Sequence, residues 1–264
     1  MLIHIGNKRV ERRQGYIADF CPMCRELRKF ELIRISHATA FYGVPLGQGK
    51  LLTFTIRCER CGVWMPVGEN RYTDLKADRD ADLDRLAART FPSLRQLYAE
   101  RLELERMILR QAGSLPGGIR MQLMIEPFKS VAWMVEDAYA GQVPLDAPSG
   151  IGCLLALGIP GGLFFTGCLV KSLSMQARDW LLLASVISFL VLAAYALVQF
   201  GLRPRRYLRR RITPLLALAL RPLAPSREEL ESCLQEMQKE APSLTANLSP
   251  EELLAAIQQP SRVR

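Results

Sequence analysis

Four of the seven cysteines stand in two pairs, CPMC at Cys21 and Cys24 and CERC at Cys58 and Cys61. A Cys-x-x-Cys turn can offer both sulfurs to one metal, and two such turns complete a tetrahedral thiolate shell with no open position. That is the chemistry of a closed structural site, so Zn2+ on Cys21, Cys24, Cys58 and Cys61 is the expectation. The 33 residues between Cys24 and Cys58 exceed the usual finger spacing and leave room for a β-hairpin excursion between the turns. Gly62 follows Cys61 directly, where the backbone is expected to tighten and aim N–H groups at sulfur. Cys153, Cys168 and Cys233 are unpaired in sequence and read as apolar fillers. An odd count with two CxxC pairs suits a reducing compartment better than a secreted disulfide framework.

Other chemistries for these residues have weaker footing. Iron competes for the same four sulfurs, because a tetrahedral thiolate site does not identify its metal. A dithiol oxidoreductase needs one pair at a helix N-terminus within a βαβ unit, and neither pair has that setting. Residues 78–84, DRDADLD, carry acids at alternate positions as a calcium loop does, but Leu83 stands at the obligatory glycine and Arg89 at the bidentate glutamate. They read instead as the solvated start of a helix. His4 and His37 are the only histidines, and a four-thiolate site needs neither. There is no nucleophile elbow, phosphate loop, dinucleotide fingerprint or HExxH motif. The sequence does not read as an enzyme.

The elements that must carry the two turns are β-rich. KFELIRIS (29–36), AFYGV (40–44) and KLLTFTIR (50–57) read as short strands, with turn residues in PLGQG. From about residue 73 to 141 the periodicity is helical. Ser93 and Gln96 form one expected capping box, and LPGG at 115–118 ends that helix. A second helical stretch, 119–140, contains Pro127, where a break or kink is expected. Near the C-terminus, Ser226 with Glu229 and Ser249-Pro250 with Glu252 mark two capped short helices. Leu230, Cys233, Leu234 and Met237 form one apolar stripe in need of a partner.

Two stretches, 147–170 and 180–202, contain no Asp, Glu, Lys or Arg, and each is long enough for a helix to cross a bilayer core of about 30 Å. Spans near 150–170 and 180–200 are therefore expected as a hairpin. RPRRYLRRR (203–211), with six arginines, marks the following segment as cytosolic by the positive-inside rule. Two spans return the chain to the side it left, so both termini are expected in the cytosol. TPLLALALRPLAP (213–225) is expected to lie on the membrane surface or on the hairpin. Gly158 and Gly162, a GxxxG spacing around Pro160, suggest either a helix–helix seam, within the hairpin or between copies of the chain, or a proline kink. Arg203–Arg211 also suits anionic lipid headgroups.

The head, CPMC followed by AFYGVPLGQGK (40–50) and CERCG at Cys58, resembles zinc-ribbon domains of bacterial membrane proteins. The resemblance covers roughly the first quarter of the chain. It implies zinc on Cys21, Cys24, Cys58 and Cys61, no catalysis, and an inner-membrane setting. Arg25 departs from it, standing after Cys24 where many such turns carry glycine. Rubredoxin-like iron carriers also use two such turns, usually with glycine after both.

The fold class read from all this is mixed. A small β zinc ribbon (1–72) precedes a cytosolic helical segment and linker (73–149). A two-helix transmembrane hairpin (150–202) and a basic juxtamembrane segment with short C-terminal helices (203–264) follow. Up to residue 70 the head holds eleven Lys or Arg against six acids. Membrane lipid and an unidentified protein are the expected partners, with nucleic acid the lesser expectation for a tethered basic face.

Overall fold

In the computed structural model, residues 5–42, 44–79, 82–111, 115–137, 139, 155, 158–162 and 175–259 are described. The chain begins with a five-stranded antiparallel sheet: β1 (Ile5–Cys21), β2 (Glu26–Phe41), β3 (Val44–Pro45), β4 (Lys50–Cys58) and β5 (Trp64–Val67), ordered β1-β2-β4-β5 with β3 against β2. Of the expected strands, KLLTFTIR forms β4 almost as read, KFELIRIS is the middle of a longer β2, and AFYGV is not one strand but divides between the end of β2 and the two-residue β3. β2 extends KFELIRIS at both ends, and β1 pairs with it in register from Ile5–Phe41 to Cys21–Glu26.

β1 shows no strand pattern because its first half is charged on both faces, as suits an exposed sheet edge. Its second half is covered. Tyr16 N–H donates to the Ala77 carbonyl at 2.9 Å and Ala18 N–H to Thr90 Oγ1 at 3.2 Å, so a loop and a helix end occupy the open edge. Gly15 permits that approach, since a Cβ there would stand 2.8 Å from the Leu75 carbonyl.

The helices α1 (Leu83–Thr90), α2 (Leu94–Leu97), α3 (Ala99–Gln111) and α4 (Gly117–Asp137) follow. Asp82 caps α1 by accepting from Asp84 N–H, as the acid-rich segment suggests. The Ser93 capping box does not form: Ser93 has ψ 6° and its side chain makes no cap bond, because an N-cap hydroxyl reaches the first turn only from an extended residue. Nor does Pro127 break α4. Met124, Phe128 and Val131 are all buried, and their shared core outweighs the roughly 3 kcal/mol a mid-helix proline costs.

A long apolar helix, α5 (Met175–Tyr207), passes through a π turn (Leu208–Ile212) into α6 (Thr213–Leu220). After a 3-10 turn (Arg221–Leu223) come α7 (Arg227–Met237), α8 (Pro242–Thr245) and α9 (Pro250–Gln258). The Ser226–Glu229 capping box forms in full. Ser249 sits at the N-cap of α9 with Pro250 behind it, but its side chain makes no cap bond.

Two compact units result. One joins Met1–Glu136 to Arg211–Arg264; the other is Asp137–Arg210. In the first, α4 is the strut for the C-terminal helices. Arg120 pairs with Glu229 at 2.6 Å, Cys233 Sγ lies 3.3 Å from Met121 Sδ, and Ser243 Oγ donates to Glu136 at 2.9 Å. The Leu230–Met237 stripe is thereby buried. α6 packs against α9 and is buried along most of its length, not spread on a membrane hairpin as the sequence suggested.

In the second unit, the helical run Leu182–Leu223 begins with the apolar part of α5 and is long and apolar enough to cross a membrane. Only 11% of its most apolar window is buried, unlike the core helix of a soluble protein. The expected first span, 150–170, lies outside the described residues except for 155 and 158–162. Those six residues are helical, and Ser185 Oγ donates to the Pro160 carbonyl at 3.0 Å. A Cβ at Gly158 or Gly162 would meet nothing within 4 Å.

Candidate metal centre

The antiparallel pairing decides where the thiols go. The turn between β1 and β2 is CPMC, and the turn between β4 and β5 is CERC. β2 pairs with β4 with Phe30 opposite Cys58, which sets the two turns side by side at one end of the sheet. The four Sγ atoms lie within 4.8 Å of one another. Cys21 Sγ is 3.5 Å from Cys61 Sγ, and Cys24 Sγ is 4.0 Å from Cys58 Sγ. A tetrahedron with Zn–S of about 2.3 Å has edges of ~3.8 Å, so these distances bracket what one metal ion requires. They are far too long for disulfides, whose S–S length is ~2.05 Å.

The two turns are built alike. Arg25 N–H donates to the Cys21 carbonyl at 2.7 Å and Gly62 N–H to the Cys58 carbonyl at 2.9 Å. Both residues are left-handed, with φ of 59° and 73°. Gly62 thus closes its turn on a carbonyl and not, as expected, on sulfur; N–H groups aimed at sulfur include that of Cys24, 3.4 Å from Cys21 Sγ, and that of Cys61, toward Cys58 Sγ. Cys21 and Cys58 are buried, Cys24 and Cys61 half-buried.

Crowding four thiols makes them share protons. The Cys58 thiol is held well below the ordinary range, first by hydrogen bonding from Cys21 and then from Cys24 and Cys61, with burial opposing. Cys21 is pushed up, first by its bond with Cys24, then by Cys58, Cys61 and burial. Such a cluster carries a ready thiolate, and a cation that replaces the remaining protons satisfies all four sulfurs together.

Around the thiols is a supporting shell that sequence reasoning missed. Arg25, read only as a departure from the usual glycine, has a buried guanidinium: Nε donates to Glu105 Oε2 at 2.6 Å and Nη1 to the Ala219 carbonyl at 3.0 Å. Arg101 continues the chain of charges, 2.9 Å from Glu105 and paired with Glu126. Two residues before Cys21, buried Asp19 accepts from Tyr72 Oη at 2.6 Å, and Arg71 Nη2 lies 2.9 Å away. Burial first, and then the Asp19 carboxylate, push Tyr72 up, so it stays a phenol that donates. After the second turn, Trp64 meets Trp133 of α4 edge to face, with ring centroids 4.4 Å apart. The only advance signals were the non-glycine at 25 and an acid inside an apolar strand. Their partners lie about 50 to 200 residues away and leave no local mark.

His37 is an exposed residue of β2, paired with Lys50 and Arg9. It lies eleven residues along the strand from Glu26, roughly 36 Å at 3.3 Å per residue, and is no ligand. His4, Cys153 and Cys168 lie outside the described residues.

No protein-family model, curated protein or solved structure matches this chain. What the centre can do must be argued from its own geometry. Four thiol sulfurs on two matching turns can hold a metal ion, and their placement alone does not select among thiophilic metals.

Proposed function

We propose that this chain is a membrane-anchored, non-enzymatic zinc-ribbon protein whose cytosolic head serves as an interaction module. The observation that carries the reading is the convergence of Cys21, Cys24, Cys58 and Cys61 to within 4.8 Å on two turns of the same construction. Four protein sulfurs fill a tetrahedral shell and leave no position for water or substrate, so the ion's part is to fix shape. In small zinc domains that binding supplies on the order of 10–16 kcal/mol.

The anchor is a two-span hairpin near 150–170 and 180–200, in a bacterial inner membrane with both termini cytosolic. Support for the even number of crossings comes from the first unit, which combines chain from before Asp137 with chain from after Arg210. A single folded body cannot lie on both sides of a bilayer. If α5 crosses, the intervening chain must cross once more, and the charge-free stretch 147–170 is the segment that can. The arginines of 203–211 favour the cytosolic side for the unit they lead into. The open face of Gly158 and Gly162 suits packing against a second copy of the chain.

The head displays apolar surface that a partner would cover. Phe41, Tyr42, Val44 and Leu46 at the far tip of the sheet are 45–63% exposed, beside Arg12 and Arg34, which hold the tip loop through the Gly47, Gln48 and Gly49 carbonyls.

Elemental analysis and a visible spectrum of the full chain, purified from cells supplied with zinc and with iron, test the proposal. One zinc per chain, colourless and lost on Cys21→Ser, is the expected result. Iron retained against available zinc, with a bleachable visible band, would make the chain a membrane-tethered electron carrier of rubredoxin type.

A further inference from the structure

We propose that Arg25 joins metal occupancy of the four-cysteine site and docking of α6 into one cooperative event, so that loss of the metal releases α6 from the head. This rests on the metal reading above.

The backbone of Arg25 gives the first reason. At φ 59° it occupies the left-handed region, which is strained for a residue with a Cβ. Gly62 occupies the matching place in the second turn without that strain. For the turn alone glycine is the better residue at 25, so the arginine is retained against the preference of the backbone it sits on.

Its side chain gives the second reason. The guanidinium is 5% exposed and forks between two helices, bonding Glu105 of α3 and the Ala219 carbonyl of α6. Charge-assisted bonds in a buried setting are stronger than neutral ones and costly to leave unmade.

The third reason lies in α6. Its sequence, TPLLALAL, offers no charged side chain and one hydroxyl, so its polar anchors stand at its C-terminal end: Arg25 on the Ala219 carbonyl, and Arg221 on the Ile257 and Gln259 carbonyls. Its C-terminal end runs into the 3-10 turn Arg221–Leu223. The residue three places after Ala219 is Pro222, which has no N–H to return to the Ala219 carbonyl in a 3-10 bond. Ala219 is fully buried, where an unmet carbonyl is costly. Arg25 supplies the donor.

The metal enters because it closes the turn that strains Arg25. With an ion bound, Cys21 and Cys24 are pinned to one centre and the left-handed residue that follows is held in place. With the ion gone, the turn keeps the Arg25 N–H to Cys21 carbonyl bond but its sulfurs are tied only by weak S–H bonds, and Arg25 relaxes toward negative φ. Its Cα–Cβ direction then swings, and a fork aimed at two acceptors on two helices loses both. The released segment is the direct continuation of α5.

Hydrogen exchange of the full chain in detergent, read on peptides covering 213–223 and paired with metal analysis of the same sample, tests this. In the wild type, chelation is expected to speed exchange there about tenfold. Arg25→Gly keeps the turn, and with it the metal, but its α6 amides exchange at the chelated wild-type rate whether or not metal is present. If Arg25→Gly fails to hold metal, Arg25→Lys carries the same comparison, since an ammonium on that stem cannot serve both acceptors. Lost coupling in a metal-holding variant supports the proposal; a full wild-type response to chelation in that variant overturns it. A wild-type chain that holds metal yet shows unchanged α6 exchange on chelation also overturns it, with the metal reading intact. A wild-type chain that never holds metal overturns both.

Discussion

At the scale of single residues, two thiols with opposite environments make the sharpest contrast. Cys58 shares protons with three other sulfurs and is held low. Cys58→Ser removes one of four ligands, and the head should lose its metal and its resistance to protease while α5 stays in the membrane fraction. A head that kept both would show that the site has no structural role. Cys233 is the reverse case. Burial first, and then Glu236 and Glu229, push its thiol up to about 12 from 9.0. A thiol whose folded value is raised stays protonated where the unfolded chain would ionise. Its stabilising contribution is therefore complete below about pH 9 and is lost as the pH climbs toward 12. At pH 8 iodoacetamide should leave Cys233 unmodified in the folded chain and modify it after urea, as read by mass spectrometry. Rapid labelling of the folded chain would contradict the environment described. The four clustered cysteines were legible in the sequence because CxxC spacing is a local signal. Arg25, Asp19 and Glu105 were not, since a buried charge is explained only by a partner brought in by folding.

At the scale of elements, capping was readable at Ser226 but not at Ser93 or Ser249, and tertiary override was not readable at all. Ser226 and Ser93 look alike in sequence, each followed by Glu or Gln three places on. Ser226 is extended at ψ 166° and caps in both directions; Ser93, at ψ 6°, makes no cap bond. Ser226→Ala should therefore cost about 1 kcal/mol, and Ser93→Ala a few tenths at most, as compared by thermal melts. Equal losses would show that the capping box contributes nothing particular. Long-range pairing governs the strands. β2 was visible because Phe30 and Leu32, and further along Ala38 and Ala40, alternate toward a core, with Ile35 buried out of phase beside the register shift. β1 pairs along the full length of β2 yet spends its first half on lysine, arginine and glutamate. No strand propensity survives in such an edge. α6 misled for a related reason: an apolar octapeptide soon after the charge-free stretch 180–202 and its arginine block reads as membrane-seeking, and only the burial against α9 shows where its surface goes.

At the scale of the whole molecule, the chain leaves one folded unit at Glu136 and re-enters it at Arg211, a closure that periodicity cannot reveal because it is made by contacts more than a hundred residues apart. Arg120 with Glu229, Lys129 with Glu240 and Arg25 with Ala219 all join the two parts. Such a unit cannot be pulled across a bilayer by its second half alone. If α5 crosses a membrane, as we propose, the segment between must cross an even number of times, and the second crossing would come from 137–174. The prediction is that epitope tags at the two ends of the full chain become protease-sensitive together, in inverted membrane vesicles and not in intact spheroplasts. Deleting residues 150–170 should break the parity: either the C-terminal tag moves to the opposite face, or α5 fails to insert and the chain turns up in the soluble fraction. Tags on opposite faces of the intact chain would mean that the two halves of the first unit never meet in the membrane-bound protein. Tags exposed together only in spheroplasts would keep the hairpin but reverse it. In that case the arginines of 203–211 would not set the orientation, and the thiol site would face an oxidising compartment, where paired cysteines oxidise to disulfides.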